Sequence, residues 1–317
     1  MLGAENLWPP NDAWAYHDWH SKSGGDVNHF TKALEEELGV ASDLEDFERK
    51  AQLLNYVSHR AMFEGFNANL WEPNTGRLMW MTHPAWPSTA WQMYSSDYSA
   101  DGAFYGIRKA CEPVHVQLNL PGLEAAVINT TREARPNLTL GARAFSVKGE
   151  ELFAREAKIS APANDIARAF RVELPGGEAR GVALVKLSLK DEAGRVVSEN
   201  FYWHAPQPAR YRELNELPAA EVASSAAWVR EGGRALVEVE LINRGAGVAL
   251  LVRATLRDAA TGARLLPAYM SDNYVSLLPG ERRRLTVEAP AATAGAPARV
   301  ELKGWNLRAT SVHVRDE

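Results

Sequence analysis

The chain has 317 residues, with 35 Lys and Arg against 40 Asp and Glu and a net charge of −5. That balance gives no electrostatic footprint for nucleic acid or an anionic membrane, and no apolar run is long enough to span a bilayer. A composition of 46% apolar and 24% charged residues is ordinary for a globular protein, and the length suffices for two or three domains. One cysteine, Cys111, excludes an intrachain disulfide framework and a cysteine-rich zinc site. The opening residues, MLGAENLWPPNDAW, lack the basic and apolar regions of a signal peptide. Of ten tryptophans, Trp8, Trp14, Trp19, Trp71, Trp80, Trp86 and Trp91 crowd the first part of the chain. Such crowding points to a large core or to a surface that stacks on flat ligands, sugars included.

Residues 1–112 read as helical with one buried strand. Val27 to Leu38 is a short amphipathic helix ended by Gly39. A longer helix starts at Ser42, where Glu45 completes a capping box, and Phe47, Ala51, Leu54, Val57 and Ala61 recur at helical spacing toward Phe66. After the Asn74-Thr75-Gly76 turn, Arg77 to Thr82 (RLMWMT) is a nearly continuous apolar run, as in a parallel strand buried on both faces. A Trp-rich loop and a helix from Phe104 to Cys111 follow, so the segment makes one α/β repeat rather than a whole domain. From Val114 the texture changes to short alternating runs: VHVQLNL, AAVINTT, LTLGARAFS, RAFRVEL, GVALVKLSLKD and RVVSENFYW. Gly, Pro, Asn and Asp turns separate them, the signature of a β-sandwich. APQPARYR (205–212) reads as a linker. A second set follows: SAAWVREG, RALVEVELINRG, VALLVRATLRD, SDNYVSLLPGE, RRLTVEAP and RVELKGWN.

One stretch carries a specific likeness. Leu78 to Gln117 contains Trp86-Pro87-Ser88, Trp91-Gln92, Ala103-Phe104-Tyr105-Gly106 and a Lys109-x-x-Glu112-Pro113-x-His115-x-Gln117 exit. It resembles the end of the catalytic barrel in glycoside hydrolase family 2, most of all its exo-β-glucosaminidase and endo-β-mannosidase branches. The likeness extends through the long helix upstream and through SDNYVSLLPGE and GWN downstream. It implies a mixed fold: the C-terminal part of a (β/α)8 TIM barrel over 1–112, then immunoglobulin-like β-sandwiches over 113–209 and 210–317. It also implies retaining chemistry, which needs two carboxyl groups about 5 Å apart on different barrel strands. In the family both glutamates lie on strands before the last, so both are expected upstream of residue 1, and this chain alone is expected to be inactive. The family is usually secreted or periplasmic in bacteria.

Glu5, Asp12, Asp18, Glu64, Glu72, Asp97 and Asp101 are the carboxylates of the first segment, and solvated loop and helix groups are the default for them. His17-Asp18-Trp19-His20 suggests a metal, but adjacent loop residues rarely converge on one ion and no distant ligand is signalled. No metal or cofactor is expected. Trp86 and Trp91 follow the apolar strand at the end where barrels place their chemistry, and an indole face suits the axial C–H bonds of a sugar. Both are candidate substrate contacts, with packing at the barrel rim as the alternative. His83 is a third candidate, at a position where relatives often carry another polar residue. Trp80 reads as core; Tyr94, Asp97 and Tyr98 are as consistent with structure as with a cleft. Asp272-Asn273-Tyr274 is a sandwich turn and a second-rank contact, should the last sandwich lean over the barrel mouth. The sequons at Asn129 and Asn137 are discounted on a composition that looks bacterial.

Three functions compete: part of an exo-acting β-glycosidase acting on glycans, a non-catalytic carbohydrate-binding or scaffold chain, and half of a split enzyme completed in cis or in trans. An apolar face left by absent barrel repeats would favour self-association and a weakly held first segment.

Overall fold

The computed structural model describes residues 3–14, 16, 27–87, 92–231, 234–290, 293 and 295–316. Helices come first: a single turn α1 (Asp12–Trp14), α2 (Val27–Leu38), α3 (Leu44–Asn67) and α4 (Gly102–Ala110). None of the described helices is long and apolar enough to cross a membrane.

The start of α3 differs from the Ser42 capping box by one residue. Asp43 is the N-cap and accepts from the Asp46 N–H at 2.9 Å, while the Asp46 carboxylate reaches back to the Ser42 N–H at 3.0 Å. An anionic cap also complements the positive end of the helix, and Glu45 pairs instead with Lys303 at 2.7 Å. Of the apolar stripe read from the sequence, Phe47 is buried, Ala51, Leu54 and Val57 are half-buried and Ala61 is exposed; the buried side of α3 also takes in Leu53 and Tyr56. Phe47 packs with Trp14 and Leu34, whereas Leu53 and Tyr56 join Tyr105 of α4 in the core of the second sandwich.

Two glycines let α4 lie directly on α3. A Cβ on Gly102 would stand 2.6 Å from the Gln52 carbonyl oxygen, and one on Gly106 only 2.4 Å from that of Tyr56. Asp101 caps α4 by accepting from the Phe104 N–H at 3.3 Å.

The first sandwich sets a three-stranded sheet, β1 (Val114–Asn119), β2 (Glu124–Asn129) and β5 (Asp165–Arg171), against a four-stranded one. The latter runs in the order β4 (Glu151–Ala161), β3 (Arg135–Ser146), β6 (Ala183–Lys190), β7 (Val196–His204). Every pairing is antiparallel, and inward residues such as Val116, Leu140, Leu187 and Tyr202 form one apolar core. Asn129 is fully buried there and gives its amide hydrogens to backbone carbonyls.

The second sandwich is one sheet wrapped on itself. Its order is β11 (Tyr269–Met270), β13 (Arg282–Glu288), β9 (Arg234–Asn243), β8 (Val222–Glu231), β15 (Thr310–Arg315), β14 (Ala298–Lys303), β10 (Ala249–Asp258), β12 (Val275–Leu277). The two halves join where β15 runs parallel to β8.

The expected linker is structured. A 3-10 helix at Pro208–Glu216 buries Leu214 completely and offers its carbonyl to the Trp305 indole N–H at 2.7 Å. Arg212 and Asn215 donate to the Glu35 and Leu38 carbonyls at 3.0 and 2.9 Å, so α2, both sandwiches and this turn are sewn together.

Arg77 to Thr82 departs furthest from expectation. It forms no ladder, and Leu78 and Trp80 are 103% and 81% exposed. Arg77 points inward, to the Phe63 carbonyl and Asn67 Oδ1 at 2.5 and 2.9 Å. A strand exists by exchanging hydrogen bonds with neighbours; no described strand lies beside this segment, so Trp80 is not core and the run is not buried on both faces.

Candidate functional site

The loop beyond Thr82 carries the first group of candidate residues. Its base is closed by the N–H groups of Met93 and Tyr94, both donating to the Thr82 carbonyl at 3.1 Å. Within it Trp86 is 64% exposed, presenting an indole to solvent on a loop stiffened by Pro84 and Pro87. The His83 ring stacks on Tyr98 at 4.6 Å between centroids and 17° between planes, and its buried Nε2 has no hydrogen-bond partner. Trp91 lies outside the described residues, as do His17 to His20 with their metal question; among the described residues no His, Cys, Asp or Glu group could hold a metal ion.

Tyr98 sits in a tight turn at φ 64°, fixed by its N–H to the Ser95 carbonyl at 2.9 Å. Next to it, Asp97 accepts from the Ser99 N–H at 3.1 Å and from Arg264 of the second sandwich at 2.5 Å. That cross-segment pair was not read from the sequence, because its partners stand 167 positions apart. Asp101 caps α4 and also accepts from Asn55 Nδ2 at 3.3 Å. Burial, working against the capping hydrogen bonds, pushes its carboxyl up to about 7.

The Asp272-Asn273-Tyr274 turn is held by protein groups. Asn273 is buried, accepts from the Ala254 N–H at 2.8 Å and donates to the Ala254 carbonyl at 3.0 Å. Tyr274 takes a left-handed conformation at φ 53°, and its ring is buried against Tyr56 and Tyr105. Both side chains are buried and engaged by protein groups. Asp272, half-buried, lies 3.8 Å from Lys109 Nζ.

The Lys109 to Gln117 exit forms a buried polar network. His115 is fully buried on β1; its ring nitrogens lie 3.1 Å from Glu112 Oε2 and 3.1 Å from Glu64 Oε1 of α3. Glu64 Oε1 also accepts from Asn200 Nδ2 at 2.7 Å and from the Tyr202 hydroxyl at 2.8 Å, both on β7. Glu112 accepts from Ser198 Oγ at 2.6 Å and from Lys109 Nζ at 2.7 Å. Gln117 Nε2 donates to the Glu64 carbonyl at 3.0 Å. Arg60, one turn before Glu64, donates to Asn200 Oδ1 at 3.0 Å and the Phe201 carbonyl at 2.6 Å, and lies over the Tyr202 ring. Burial alone would raise the Glu112 carboxyl, but the hydrogen bond from His115 and the charge of Lys109 bring it down to about 2. This is an ionic weld between α3, α4 and the first sandwich, with Glu64 buried and Glu112 half-buried. The signal that could have located its far side is Arg60 and Glu64, an oppositely charged pair one turn apart on α3.

Known proteins match this architecture. Residues 122–211 match the mannosidase Ig/CBM-like domain family and residues 200–307 the exo-β-D-glucosaminidase Ig-fold domain family. The exo-β-D-glucosaminidase of Amycolatopsis orientalis is 31% identical over 97% of this chain and 32% of its own length. The mannosylglycoprotein endo-β-mannosidase of Lilium longiflorum is 28% identical over 94% of this chain and 37% of its own. A solved structure of the Amycolatopsis orientalis exo-chitosanase superposes with a TM-score of 0.91 at 30% identity, covering 99% of this chain and 40% of that one.

The fold and these matches define a chain of two immunoglobulin-like domains behind a helical segment, similar to part of known glycosidases. More narrowly, it is a relative of the C-terminal portion of the exo-β-D-glucosaminidase and endo-β-mannosidase branch of glycoside hydrolase family 2. The chain spans about a third of the length of the curated relatives it matches.

Proposed function

We propose that this chain is the C-terminal part of a retaining β-glycosidase of the exo-β-glucosaminidase or β-mannosidase type. In this reading residues 1–112 close a (β/α)8 barrel, and 113–209 and 210–317 are its two flanking sandwiches. The observation that carries it is the unpaired apolar segment Arg77 to Thr82. Arg77 is tied inward to α3, while Leu78 and Trp80 stand exposed beside it, as the last strand of a barrel would be without its neighbours. Trp86 and His83 then sit in the βα loop at the barrel mouth, facing a glycan substrate. Trp86 is the stacking platform of that site. Asp272 belongs to the weld, beside Lys109, rather than to the sugar. Both catalytic glutamates lie on strands supplied by the preceding part of the barrel, in cis or in trans. Glu64 is buried and Glu112 half-buried, and both are engaged by His115 rather than standing as the open carboxylate pair that retaining hydrolysis needs.

The test is hydrolysis of nitrophenyl β-glucosaminide, β-mannoside and β-galactoside by the purified chain, alone and with the preceding barrel segment added. No turnover alone and turnover of the glucosaminide or mannoside after addition is the expected result. Robust turnover by the chain alone refutes the proposal, as does failure of the assembled protein on every glycoside. A purely carbohydrate-binding chain would retain oligosaccharides on an affinity column without gaining activity.

A further inference from the structure

We infer that His115 is a buried imidazolium shared between Glu64 and Glu112, and that its deprotonation loosens α3 from the first sandwich. The argument begins with valence. A neutral imidazole has one N–H and one lone pair, so it can serve only one acceptor. His115 faces an acceptor on each side: Glu112 Oε2 at 3.1 Å from Nδ1 and Glu64 Oε1 at 3.1 Å from Nε2. With both carboxyls held below the ordinary carboxylate value and so ionised, only the doubly protonated ring satisfies both. The one donor near Nε2 is Asn200 Nδ2 at 3.4 Å, and its two hydrogens are already engaged by Glu64 Oε1 at 2.7 Å, the Tyr202 hydroxyl at 2.7 Å and the Val116 carbonyl at 3.2 Å.

Charge counting agrees. The groups facing this ring are Glu64 and Arg60 from α3, Lys109 and Glu112 from the end of α4 and its exit, and Tyr202 from β7; Asp272 of the second sandwich reaches the cluster through Lys109. With His115 neutral, two of its nearest neighbours are carboxylates with an uncharged ring wedged between them. With His115 charged, each carboxylate has a cation on either side: Glu64 has Arg60 and His115, and Glu112 has Lys109 and His115. Burial opposes the charge, but the hydrogen bonds to Glu112 and Glu64 outweigh it, and the ring titrates above the ordinary imidazole value. Glu64 sits on α3, His115 on β1, and Glu112 just beyond α4. One proton therefore ties three elements.

The sign follows from linkage. A group whose pKa is higher in the closed form stabilises that form fully below its open-form value, and the contribution is lost as pH rises to the closed-form value. The clasp is tight in acid to neutral solution and slackens in alkali.

The experiment uses the full chain with 13C- and 15N-labelled histidine, His115 being assigned through bonds from the β1 backbone. Both ring nitrogens are expected to carry hydrogen at pH 7. In parallel, hydrogen exchange of Tyr56 to Asn67 is followed with pH and corrected for base catalysis. Exchange should quicken by about tenfold per pH unit from the ordinary imidazole value up to the His115 midpoint, then level off. Glu112→Gln, which leaves Glu64 in place, should lower that midpoint by about one unit or more. A ring with a single N–H at pH 7 overturns the inference. So does α3 protection that fails to follow the titration of His115, or a midpoint that Glu112→Gln leaves unmoved.

Discussion

Replacing Gly106 by Ala sets two known effects against each other at one position. In a helix interior the change by itself favours folding by about 1 kcal/mol, because glycine gives up more backbone freedom. At Gly106 the new methyl would lie 2.4 Å from the Tyr56 carbonyl oxygen and 3.3 Å from the Arg60 N–H nitrogen. Both are backbone atoms of α3 and cannot rotate aside, so α4 must move off α3 as a body. Tyr56 and Tyr105, which that crossing brings into the core of the second sandwich, would lose packing. Overpacking of this kind costs about 1–3 kcal/mol. With backbone on one side and a full core on the other, the upper half of that range applies, leaving a net loss of about 1–2 kcal/mol. Gly65 supplies the control: it lies within the exposed face of α3 and a Cβ there meets nothing within 4 Å. Gly65→Ala should stabilise by up to about 1 kcal/mol. Urea unfolding followed by circular dichroism reads both. Equal effects of the same sign in the two variants would refute the close-crossing argument.

In the protein completed with its preceding barrel segment, Trp86→Ala should lower kcat/KM by about tenfold or more, the scale of a lost stacking platform, with the thermal midpoint nearly unchanged. A collapsed midpoint would instead make Trp86 a packing residue. Asn273→Ala leaves the Ala254 N–H and carbonyl unpaired inside the second sandwich, so urea unfolding should show a loss of about 2 kcal/mol or more; a neutral change would show that the turn does not brace β10. The Glu112 carboxyl falls from 4.5 to about 2 on folding. Its contribution is present above the ordinary carboxylate value and is lost as pH drops toward the folded one. The urea midpoint should decline across that window, and Glu112→Gln should flatten the decline; an unchanged slope in the variant would count against it.

Much of this architecture could be read from residue order, because strand and helix periods are local. ALVKLSLK and RALVEVELIN announce β6 and β9 by alternation, and the spacing of Phe47, Leu54 and Val57 announces α3. β4 escaped because it is a sheet-edge strand with few buried positions, and the two-residue β11 is too short to carry a period. RLMWMT was legible as an apolar run, but its partners are not local, so composition alone suggested a burial that the fold does not give it. The Lys109 to Gln117 pattern was specific enough to suggest a family and silent about its own chemistry. Of the two carboxylates that give His115 its role, Glu112 lies within the pattern and Glu64 stands 51 positions back. Trp86 and His83 were reached through the likeness, whereas the stacking of His83 on Tyr98 needed coordinates.

The length of α3 governs how the two sandwiches can move. Its 24 residues make a rod about 36 Å long, and its neighbours change along it: Trp14 and Leu34 at Phe47, Trp305 at Arg49, the second-sandwich core at Leu53, and the first sandwich at Arg60 and Glu64. Two domains that each grip a different stretch of one stiff rod cannot swivel about the turn that joins them without sliding on it. Swapping either sandwich for a relative's would thus be a transplant of two surfaces, the sandwich and its stretch of helix. A graft cut at the 3-10 turn alone would leave α3 gripping a stranger.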